Sequence, residues 1–441
     1  MSAMPCVRPA ALAAASLVLA AACHPGGRFA GANTADSTLI YRDIAWLADD
    51  AREGRATGTP GNDSSAAWIA RRFAALGLVA IVRQDSGCAT PCAPDYLMRF
   101  VARPVAARGH GMPLQLPTEN VVALLPGADA TLRGEYVIVG AHFDHLGRSP
   151  DFALDPEAAN AIRNGADDNA SGAAAVLELA RLFARHPARR SIVFTTFTGE
   201  ELGLLGSAWW ADHSPVPLDK VQAMVNFDMV GRLKNDRLIV YGVATAQELP
   251  GIVDSANVTP KLAVAAVGDG FGPSDHSSFY AKNVPVLHFF TDLHDDYHRA
   301  SDQIARVNAA GEARVVDLAE RVVRALADRP ARLTFVRAPA PVARGGSSRE
   351  GSNVYLGSIP DMVAGDRPGL RLSGVRAGSP ADKGGLKTGD VIVELAGKSV
   401  KDLYEYSDAL YSRKPGDTIA VIVIREGQRL TMSVTLAERG K

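Results

Sequence analysis

Four short apolar segments alternate with helix-like segments along much of the chain. The apolar segments are 136–141, 191–197, 221–227 and 284–290. A helix-like segment at 171–185 is typical of those between them. Strands that are apolar on both faces and alternate with helices are typical of a parallel sheet covered on both sides. We therefore predict an α/β fold with a mixed, mostly parallel central sheet flanked by helices.

The length and composition of the chain predict two folded units. The chain has 441 residues, which is more than the roughly 100–200 residues of an ordinary domain. Hydrophobic residues make up 47% and charged residues 22%, as in globular proteins, so a substantial core is available. The formal net charge is −1 and no long run of one sign occurs, which argues against a nucleic-acid partner.

The N-terminal segment resembles an export signal. An Ala/Leu/Val-rich segment at 10–22, too short to span a bilayer as a helix, is followed by Cys23. The small residues before Cys23 resemble a bacterial lipobox, in which the cysteine is lipidated, although Ala20 stands where Leu is usual. Cleavage after Ala22 by ordinary signal peptidase is the alternative, because Ala20 and Ala22 also fit its pattern. We expect a periplasmic or outer-membrane-anchored lipoprotein, or otherwise a secreted protein.

Two further cysteines, Cys88 and Cys92, lie close together in the sequence. In an oxidising compartment such a pair is most simply a disulfide that holds a loop, and this loop offers too few other ligands for a metal site. The closed loop is short, so the expected stabilisation is at the low end, roughly 2 kcal/mol.

Residue types that bind metal ions follow the predicted strands. They are His142, Glu200, Glu201, Asp228 and His298, and the loop NGADDNASG adds Asp168. Ligands in open α/β sheets gather beyond the carboxyl ends of strands, and nitrogen and oxygen donors suit zinc. We therefore predict a zinc centre at this edge. Of the adjacent Glu200 and Glu201, one can bind metal while the other accepts a proton from the water held there.

Each of these motifs also has a purely structural interpretation. A histidine at a strand end is often structural, and two acids at a helix start are favoured by the helix dipole. The loop NGADDNASG can cap the following helix, since Asp, Asn and Ser are good N-caps. We expect Asn169 and Ser171 to cap while Asp168 bridges two cations. A buried, unpaired Asp228 would be costly, and metal coordination removes that cost.

Other polar residues near these motifs are expected to support the ligands or to be solvated. Asp144 is placed to accept the proton of the His142 ring, and Asp302 is a candidate partner behind the ligands, four residues after His298. His145 receives no role. The remaining polar residues of the DLHDDYH segment, His294, Asp295 and Asp296, are expected to be solvated.

Together these motifs closely resemble metallopeptidase family twenty-eight, the co-catalytic two-zinc exopeptidases that include bacterial leucyl-type aminopeptidases. The resemblance runs from about residue 38 to residue 325 and begins with the segment GRATGTPGN at 54–62. The ligands that it implies are His142 and Asp228 for one zinc ion, Glu201 and His298 for the other, and Asp168 as the bridge between them.

The resemblance also implies which role the metal ions and the neighbouring residues have in the reaction. Two cations about 3.5–4 Å apart can share a water, lower its pKa and stabilise a tetrahedral intermediate. Glu200 is the implied general base, which accepts the water proton and returns it to the leaving amine. Asp144 matches the acid of the family's His-x-Asp pattern, and the peptide bond between Asp168 and Asn169 is one that is often cis in such enzymes.

Three residues are candidates for the substrate cleft. Asp275 and His276 belong to the segment GDGFGPSDHSSFY, which matches the family's loop before the last ligand strand, and Tyr297 precedes His298. The loop can contact the substrate or merely pack, and both alternatives stay open. An acidic cleft would suit the α-ammonium group of a free N-terminus.

The C-terminal segment resembles a bacterial-type PDZ domain from about residue 353 to residue 439. Leu356, Gly357 and Ser358 match its carboxylate-binding loop, whose backbone amides can hold a chain terminus while an extended peptide adds to the sheet. Ser358 departs from the commonest pattern, which has a large apolar residue there. A small β domain that binds nothing is the alternative.

These assignments divide the chain into five parts. They are a signal peptide at 1–22, a tether at 23–36, a zinc peptidase domain at 37–335, a linker at 336–352 and a PDZ domain at 353–439. The predicted function is an exported aminopeptidase with two zinc ions and peptide substrates. The alternatives are a single-zinc acyl transferase like glutaminyl cyclase and an inactive peptidase-like protein that binds peptides. Endopeptidase or carboxypeptidase activity stays open as well.

Overall fold

A computed structural model describes most of the chain. The described residues are 1, 34–83, 93–103, 115–149, 153–155, 158, 160–259, 261–270, 272, 274–337, 354–360, 369–375, 378–400, 405–406, 409–410 and 412–438. Cys23, Cys88 and Cys92 lie outside them, so the predicted lipidation and disulfide stay predictions. Among the described residues, no helix combines the length and the apolar character that a membrane crossing requires.

In the part of the chain that the structure describes, the central sheet has nine strands. In chain order they are β1 (Val79–Ala80), β2 (Leu97–Ala102), β3 (Leu116–Leu125), β4 (Tyr136–His142), β5 (Ser191–Phe197), β6 (Val221–Phe227), β7 (Arg237–Tyr241), β8 (Ala263–Ala266) and β9 (Val286–Phe290). The four segments predicted as strands are thus β4, β5, β6 and β9, although the last begins at Val286 rather than at residue 284.

Parallel pairing is concentrated in the middle of the sheet. The strands lie in the order β1-β3-β5-β4-β6-β9-β7-β8, with β2 also paired to β3. The central strands β5, β4, β6 and β9 run parallel to one another, while β1, β2 and β3 pair antiparallel and β7 is antiparallel to β9. The α/β fold with a mixed central sheet is confirmed.

Helices cover both faces of this sheet. They are α1 (Ser37–Leu47), α2 (Pro60–Ala75), α3 (Gly172–Arg185), α4 (Leu205–Asp212), α5 (Leu249–Ala256), α6 (His276–Tyr280) and α7 (Ala309–Asp328). Helices α1, α2, α3, α5 and α7 pack on the face that carries Val137 and Val139, while α4 and α6 pack on the face that carries Ile138. Because both faces are buried, the central strands are apolar throughout, as the sequence showed.

The parallel arrangement brings the carboxyl ends of the central strands to one edge. Strand β4 ends at His142, β6 ends one residue before Asp228, and β5 ends shortly before Glu200. The chain leaves β5 through Gly199, whose positive φ of 75° suits the turn toward Glu200. The fold therefore places the predicted ligands along a single edge.

The C-terminal unit is rich in β-structure and has its own core. Its elements are β10 (Val354–Tyr355), β11 (Ser358–Pro360), β12 (Leu370–Val375), α8 (Pro380–Lys383), β13 (Val391–Leu395), β14 (Lys398–Ser399), β15 (Thr418–Arg425), β16 (Gln428–Thr435) and β17 (Ala437–Glu438). Six strands form a sheet in the order β11-β12-β13-β15-β16 with β14 beside β13, and β10 pairs with β17.

Candidate functional site

The carboxylate of Asp168 lies between two histidines that come from distant parts of the chain. Its Oδ1 is 3.5 Å from His142 Nε2, and its Oδ2 is 3.3 Å from His298 Nε2. Asp228 Oδ1 lies 3.4 Å from His142 Nε2, and Glu201 Oε2 lies 3.0 Å from His298 Nε2. The structure thus brings together all five predicted ligands, grouped in the two pairs and the bridge that the family resemblance implied.

The spacing of these donor atoms fits zinc. Four ligands placed tetrahedrally at about 2.0–2.1 Å from a zinc ion lie roughly 3.4 Å from one another. The donor atoms of His142, Glu200 and Asp228 all lie within 4.8 Å of one another, as do those of His142, Asp168 and Glu201. Within the described part of the chain, Asp168 Oδ2 is a buried oxygen without a hydrogen bond. Such an atom is costly unless a cation satisfies it.

The site is buried on one side and open on the other. The side chains of His142 and Asp168 are 1% and 4% exposed. Those of Glu200, Asp228 and His298 retain 11%, 14% and 13% exposure. Solvent therefore reaches the centre on the side that carries these three side chains.

The environment of Glu200 changes its acidity. Burial raises the pKa of Glu200 well above its ordinary value, and the neighbouring carboxylates of Glu201 and Asp228 raise it further, although His142 opposes them. Burial lowers the pKa of His142, but the carboxylates of Glu200 and Asp228 outweigh it and raise that pKa well above its usual range. Perturbed acidities of this kind are concentrated at functional sites.

Asp144 supports the site differently from the prediction. The acceptor nearest to His142 Nδ1 is the backbone carbonyl of Asp144 at 3.1 Å, whereas the carboxylate oxygen lies 3.6 Å away, too far for a good hydrogen bond. The carboxylate instead accepts a bond of 3.3 Å from the backbone N–H of Glu200 and one of 2.8 Å from the hydroxyl of Thr57. Asp144 therefore fixes the position of Glu200 as well as that of His142.

His145 is a site residue that the sequence analysis missed. Its Nδ1 lies 2.7 Å from Glu201 Oε1, and the ring is fully buried. It therefore holds one oxygen of the Glu201 carboxylate, while the other oxygen lies beside His298. The second histidine of the HFDH motif was the available signal, but nothing in its spacing showed which carboxylate it would meet.

Asp302 supports the bridging loop rather than His298. Its carboxylate accepts hydrogen bonds of 3.0 Å from the backbone N–H groups of both Asp167 and Asp168. The peptide bond between Asp168 and Asn169 is cis, as the resemblance implied. Asn169 Oδ1 accepts from the N–H of Gly172 at the start of α3, as expected for a cap, whereas the Ser171 hydroxyl donates to a backbone carbonyl and does not cap.

Two of the three residues predicted to be solvated near His298 are not. His294 Nε2 lies 3.0 Å from Asp167 Oδ2, so this histidine supports the residue that precedes the bridge. Asp296 pairs with Arg232 at 2.5 Å and is 8% exposed. Both were misjudged because their partners are distant in the sequence. Asp295 is exposed, as predicted.

The cleft candidates differ in exposure. Asp275 and His276 are fully buried, and the His276 ring stacks on His288 with 4.5 Å between ring centroids. Burial raises the pKa of Asp275 to about 7, with His142 opposing and Asp144 and Asp228 adding to the shift. The two alternatives for this loop were contact with the substrate and packing. The burial of both side chains favours packing. Tyr297 is partly exposed and stacks on His298 at 3.9 Å, so it lies at the open side of the site.

In the C-terminal unit, the predicted carboxylate-binding loop precedes the edge strand β11. Gly357 has a φ of 84°, and a Cβ added there would lie 2.2 Å from Ser379 Cβ, so only glycine fits. The Ser358 hydroxyl lies 2.5 Å from the Tyr406 hydroxyl, which places the start of β11 beside Tyr406. Among the described strands, β11 pairs only with β12.

Fold and site together define the first unit as an α/β protein with a candidate metal centre at the carboxyl edge of its sheet. Comparison with known proteins finds a matching family model for each of the two units. Residues 120–323 match the model of peptidase family M28, and residues 354–436 match the model of the PDZ domain. Both resemblances drawn from the sequence are confirmed. The matched segments lie within the predicted ranges 37–335 and 353–439, whose ends stay predictions.

The curated relatives are metalloproteases and aminopeptidases. A probable zinc metalloprotease of Pyrenophora teres f. teres (strain 0-1) is 41% identical over 116 residues, which are 26% of this chain and 23% of the relative. Leucine aminopeptidase 2 of Trichophyton equinum is 29% identical over 183 residues, which are 40% of this chain and 34% of the relative. The alignments thus span about a quarter to a third of these relatives' own length.

Solved structures share the fold. An aminopeptidase from Aneurinibacillus sp. strain AM-1 superposes with a TM-score of 0.52 at 18% identity, covering 69% of this chain and 97% of that one. A glutaminyl cyclase of Bacteroides thetaiotaomicron superposes with a TM-score of 0.53 at 17% identity, covering 66% and 98%. Because both an aminopeptidase and a cyclase have this fold, the fold alone does not choose between the two activities.

Proposed function

We propose that this protein is a zinc-dependent aminopeptidase that holds two zinc ions and removes N-terminal residues from peptides. The observation that carries the proposal is the carboxylate of Asp168, which has one oxygen beside His142 and the other beside His298. A single carboxylate between two sets of ligands is suited to bridge a pair of cations. Because aminopeptidases are among the relatives, they support cleavage at the N-terminal end of the peptide.

The chemistry needs both the metal centre and Glu200. Zinc bound at this site supplies a Lewis acid that lowers the pKa of a water and polarises the substrate carbonyl. Glu200, on the open side and with its backbone N–H held by Asp144, accepts the proton of the attacking water. It then returns that proton to the leaving amine.

Two measurements together test this proposal: the zinc content of the protein and whether cleavage needs a free N-terminus on the peptide. Purified protein is analysed for zinc and incubated with peptides that differ only in whether the N-terminus is free or acetylated. We expect about two zinc ions per chain and cleavage of the free peptides alone. Equal cleavage of acetylated peptides would refute the aminopeptidase assignment. One zinc ion, with cyclisation of an N-terminal glutamine and no cleavage, would support the acyl-transferase alternative.

We also propose that the PDZ unit binds the C-terminus of a peptide along β11. The strand has one described partner, β12, and the loop 356–358 precedes it with the glycine conformation that a backbone amide pocket needs. Fluorescence anisotropy with a labelled peptide library is the test. Binding of free C-termini supports the proposal, and equal binding of C-terminally amidated peptides contradicts it.

Export is a further proposal, supported by the apolar segment 10–22 and the small residues before Cys23. If Cys23 is lipidated, Cys23→Ser releases the protein from the membrane fraction of a bacterial host. Cys6→Ser, in the same predicted signal peptide, is the matched control and leaves the protein membrane-bound. Membrane association of Cys23→Ser equal to that of the control would exclude the lipid anchor.

A further inference from the structure

Arg55 is a fully buried arginine that belongs to neither matched segment of the chain. Its guanidinium donates four hydrogen bonds to backbone carbonyls, those of Phe143 (2.7 Å), Leu47 (2.7 Å), Asn164 (2.7 Å) and Gly165 (3.0 Å). Phe143 follows the ligand His142, and Gly165 opens the loop that carries Asp168. One side chain therefore joins the segment that follows His142 to the loop that carries Asp168.

Charge explains why an arginine occupies this position. Burial lowers the pKa of Arg55 to about 10, while Asp144 and Asp168 oppose the shift, so the guanidinium stays charged at neutral pH. Among the described residues, its hydrogen bonds all go to carbonyl oxygens, and the carboxylates of Asp144 and Asp168 act on it only through space. The planar group with five donors can serve four carbonyls at once, which a lysine ammonium with three donors cannot.

Thr57, two residues after Arg55, binds the segment that follows His142 through its side chain. Its hydroxyl donates a hydrogen bond of 2.8 Å to Asp144 Oδ2. The other carboxylate oxygen of Asp144 accepts from the N–H of Glu200, and the carbonyl of Asp144 faces His142 Nδ1. Thr57 therefore holds the residue that positions both a predicted ligand and the proposed base.

The same segment is anchored to the sheet by buried polar side chains. Asn62 Nδ2 donates to the carbonyl of Arg55 at 3.1 Å. Asn62 Oδ1 accepts from the hydroxyls of Thr118 at 2.9 Å and Thr198 at 3.2 Å. Thr118 lies on β3 and Thr198 directly follows β5, so the segment is fixed to the strands beside the site. A buried network in which every member is satisfied specifies a single geometry.

We propose that residues 55–57 form part of the metal centre, with Arg55 and Thr57 as positioning residues that hold the His142 and Asp168 loops in the geometry that binds zinc. This inference rests on the proposed metal-dependent function. It assigns a role to a segment that precedes the matched peptidase segment. From the sequence, this segment was notable only as the start of the family resemblance.

Zinc affinity of the purified full chain, measured by competition with a chromophoric chelator, tests the proposal. Thr57→Val, which removes the hydroxyl, is expected to weaken zinc binding by about 10-fold to 100-fold, the usual effect of losing a partner behind a ligand. Thr57→Ser restores the hydroxyl and is expected to bind nearly as the wild type does. The visible absorption of the cobalt-substituted protein should change in Thr57→Val and not in Thr57→Ser.

Arg55→Lys has a matched control in Arg190→Lys. Arg190 is also buried, but it lies at the opposite end of β5 and bonds to Glu135 and to the carbonyl of Ala327. Both variants are expected to lower the Tm of the metal-free protein, because both lose buried hydrogen bonds. Only Arg55→Lys is expected to weaken zinc binding, again by about tenfold or more.

The outcomes separate this inference from the proposed function. A wild-type protein that binds no zinc overturns the proposed function and the inference with it. If the wild type binds zinc, and Thr57→Val and Arg55→Lys bind zinc as tightly as Arg190→Lys does, the inference alone is overturned. If Arg55→Lys does not fold, the comparison of Thr57→Val with Thr57→Ser decides.

Discussion

Glu200 and Glu201 are adjacent in the sequence but act on different sides of the site. Glu200 Oε2 lies 3.8 Å from His142 Nε2, on the open side. Glu201 places one oxygen 3.0 Å from His298 and the other 2.7 Å from His145, so it is held from two directions. Glu200 is the more exposed of the two side chains, at 11% against 6% for Glu201, which gives the two glutamates different predicted roles.

Replacement of the two glutamates should therefore give different defects. Glu200→Gln is expected to keep the zinc content of the wild type and to lower kcat by at least about 10²-fold, the usual effect of losing general acid–base help. Glu201→Gln is expected to lose zinc, because it removes a charged ligand. Metal analysis together with steady-state kinetics on one free peptide measures both. An active Glu200→Gln enzyme would exclude Glu200 as the base.

Glu312 on α7 is buried without a hydrogen-bond partner among the described residues. Burial raises its pKa well above the ordinary value, and Asp167 adds to the shift. In the unfolded chain the group loses its proton above about pH 4.3, while the folded chain keeps it to higher pH. Glu312 therefore makes the protein less stable as the pH rises from that value toward its raised pKa.

Glu312→Gln should remove this pH dependence. We compare the free energy of unfolding of the variant with that of the wild type at each pH. The difference, variant minus wild type, is expected to be larger at pH 8 than at pH 5 by at least about 1.4 kcal/mol, which corresponds to one pKa unit. Urea unfolding followed by tryptophan fluorescence reports on the peptidase unit, because all four tryptophans lie in it.

The matched control for this change lies on the same helix. Glu320 pairs with Arg324 at 2.6 Å, so Glu320→Gln loses an ion pair and is expected not to gain stability at pH 8. Parallel pH dependence of Glu312→Gln and the wild type would contradict the assignment of this slope to Glu312.

Gly357 offers a test of the PDZ loop that leaves the metal centre intact. Gly357→Ala adds a Cβ that would lie 2.2 Å from Ser379 Cβ, so the loop must shift, and we expect peptide binding to fall by at least about tenfold. Gly427→Ala is the control, because Gly427 also has a positive φ, of 81°, but no atom lies within 4 Å of the added carbon. Anisotropy titrations measure both, and equal affinities would argue against this loop as the binding site.

The predicted ligands could be found from the sequence because each follows a strand that the sequence marks clearly. His142, Glu201 and Asp228 come directly or shortly after runs that are apolar on both faces, and parallel strands bring such positions to one edge. The PDZ unit was recognisable for a similar reason, since its loops and strands are local in the sequence. In both units the informative pattern is contained within short segments.

The supporting contacts could not be predicted because they join segments far apart. Thr57 meets Asp144 across 87 positions, and His294 meets Asp167 across 127. Spacing within a motif carries no information on such pairs. For the same reason the sequence indicated Asp302 as a partner behind the ligands but not which segment it would contact, and the structure shows that it holds the backbone of the loop that carries Asp168.

The sequence by itself determined the class of fold, the candidate ligand residues and the edge of the sheet where they gather, because strand periodicity and residue chemistry are local properties. Only the tertiary structure decided which histidine faces which oxygen of Asp168, which glutamate stays open to solvent, and which distant side chains hold them. Those choices depend on distances of a few ångströms between segments, and such distances are set only when the sheet and its two helical layers pack together.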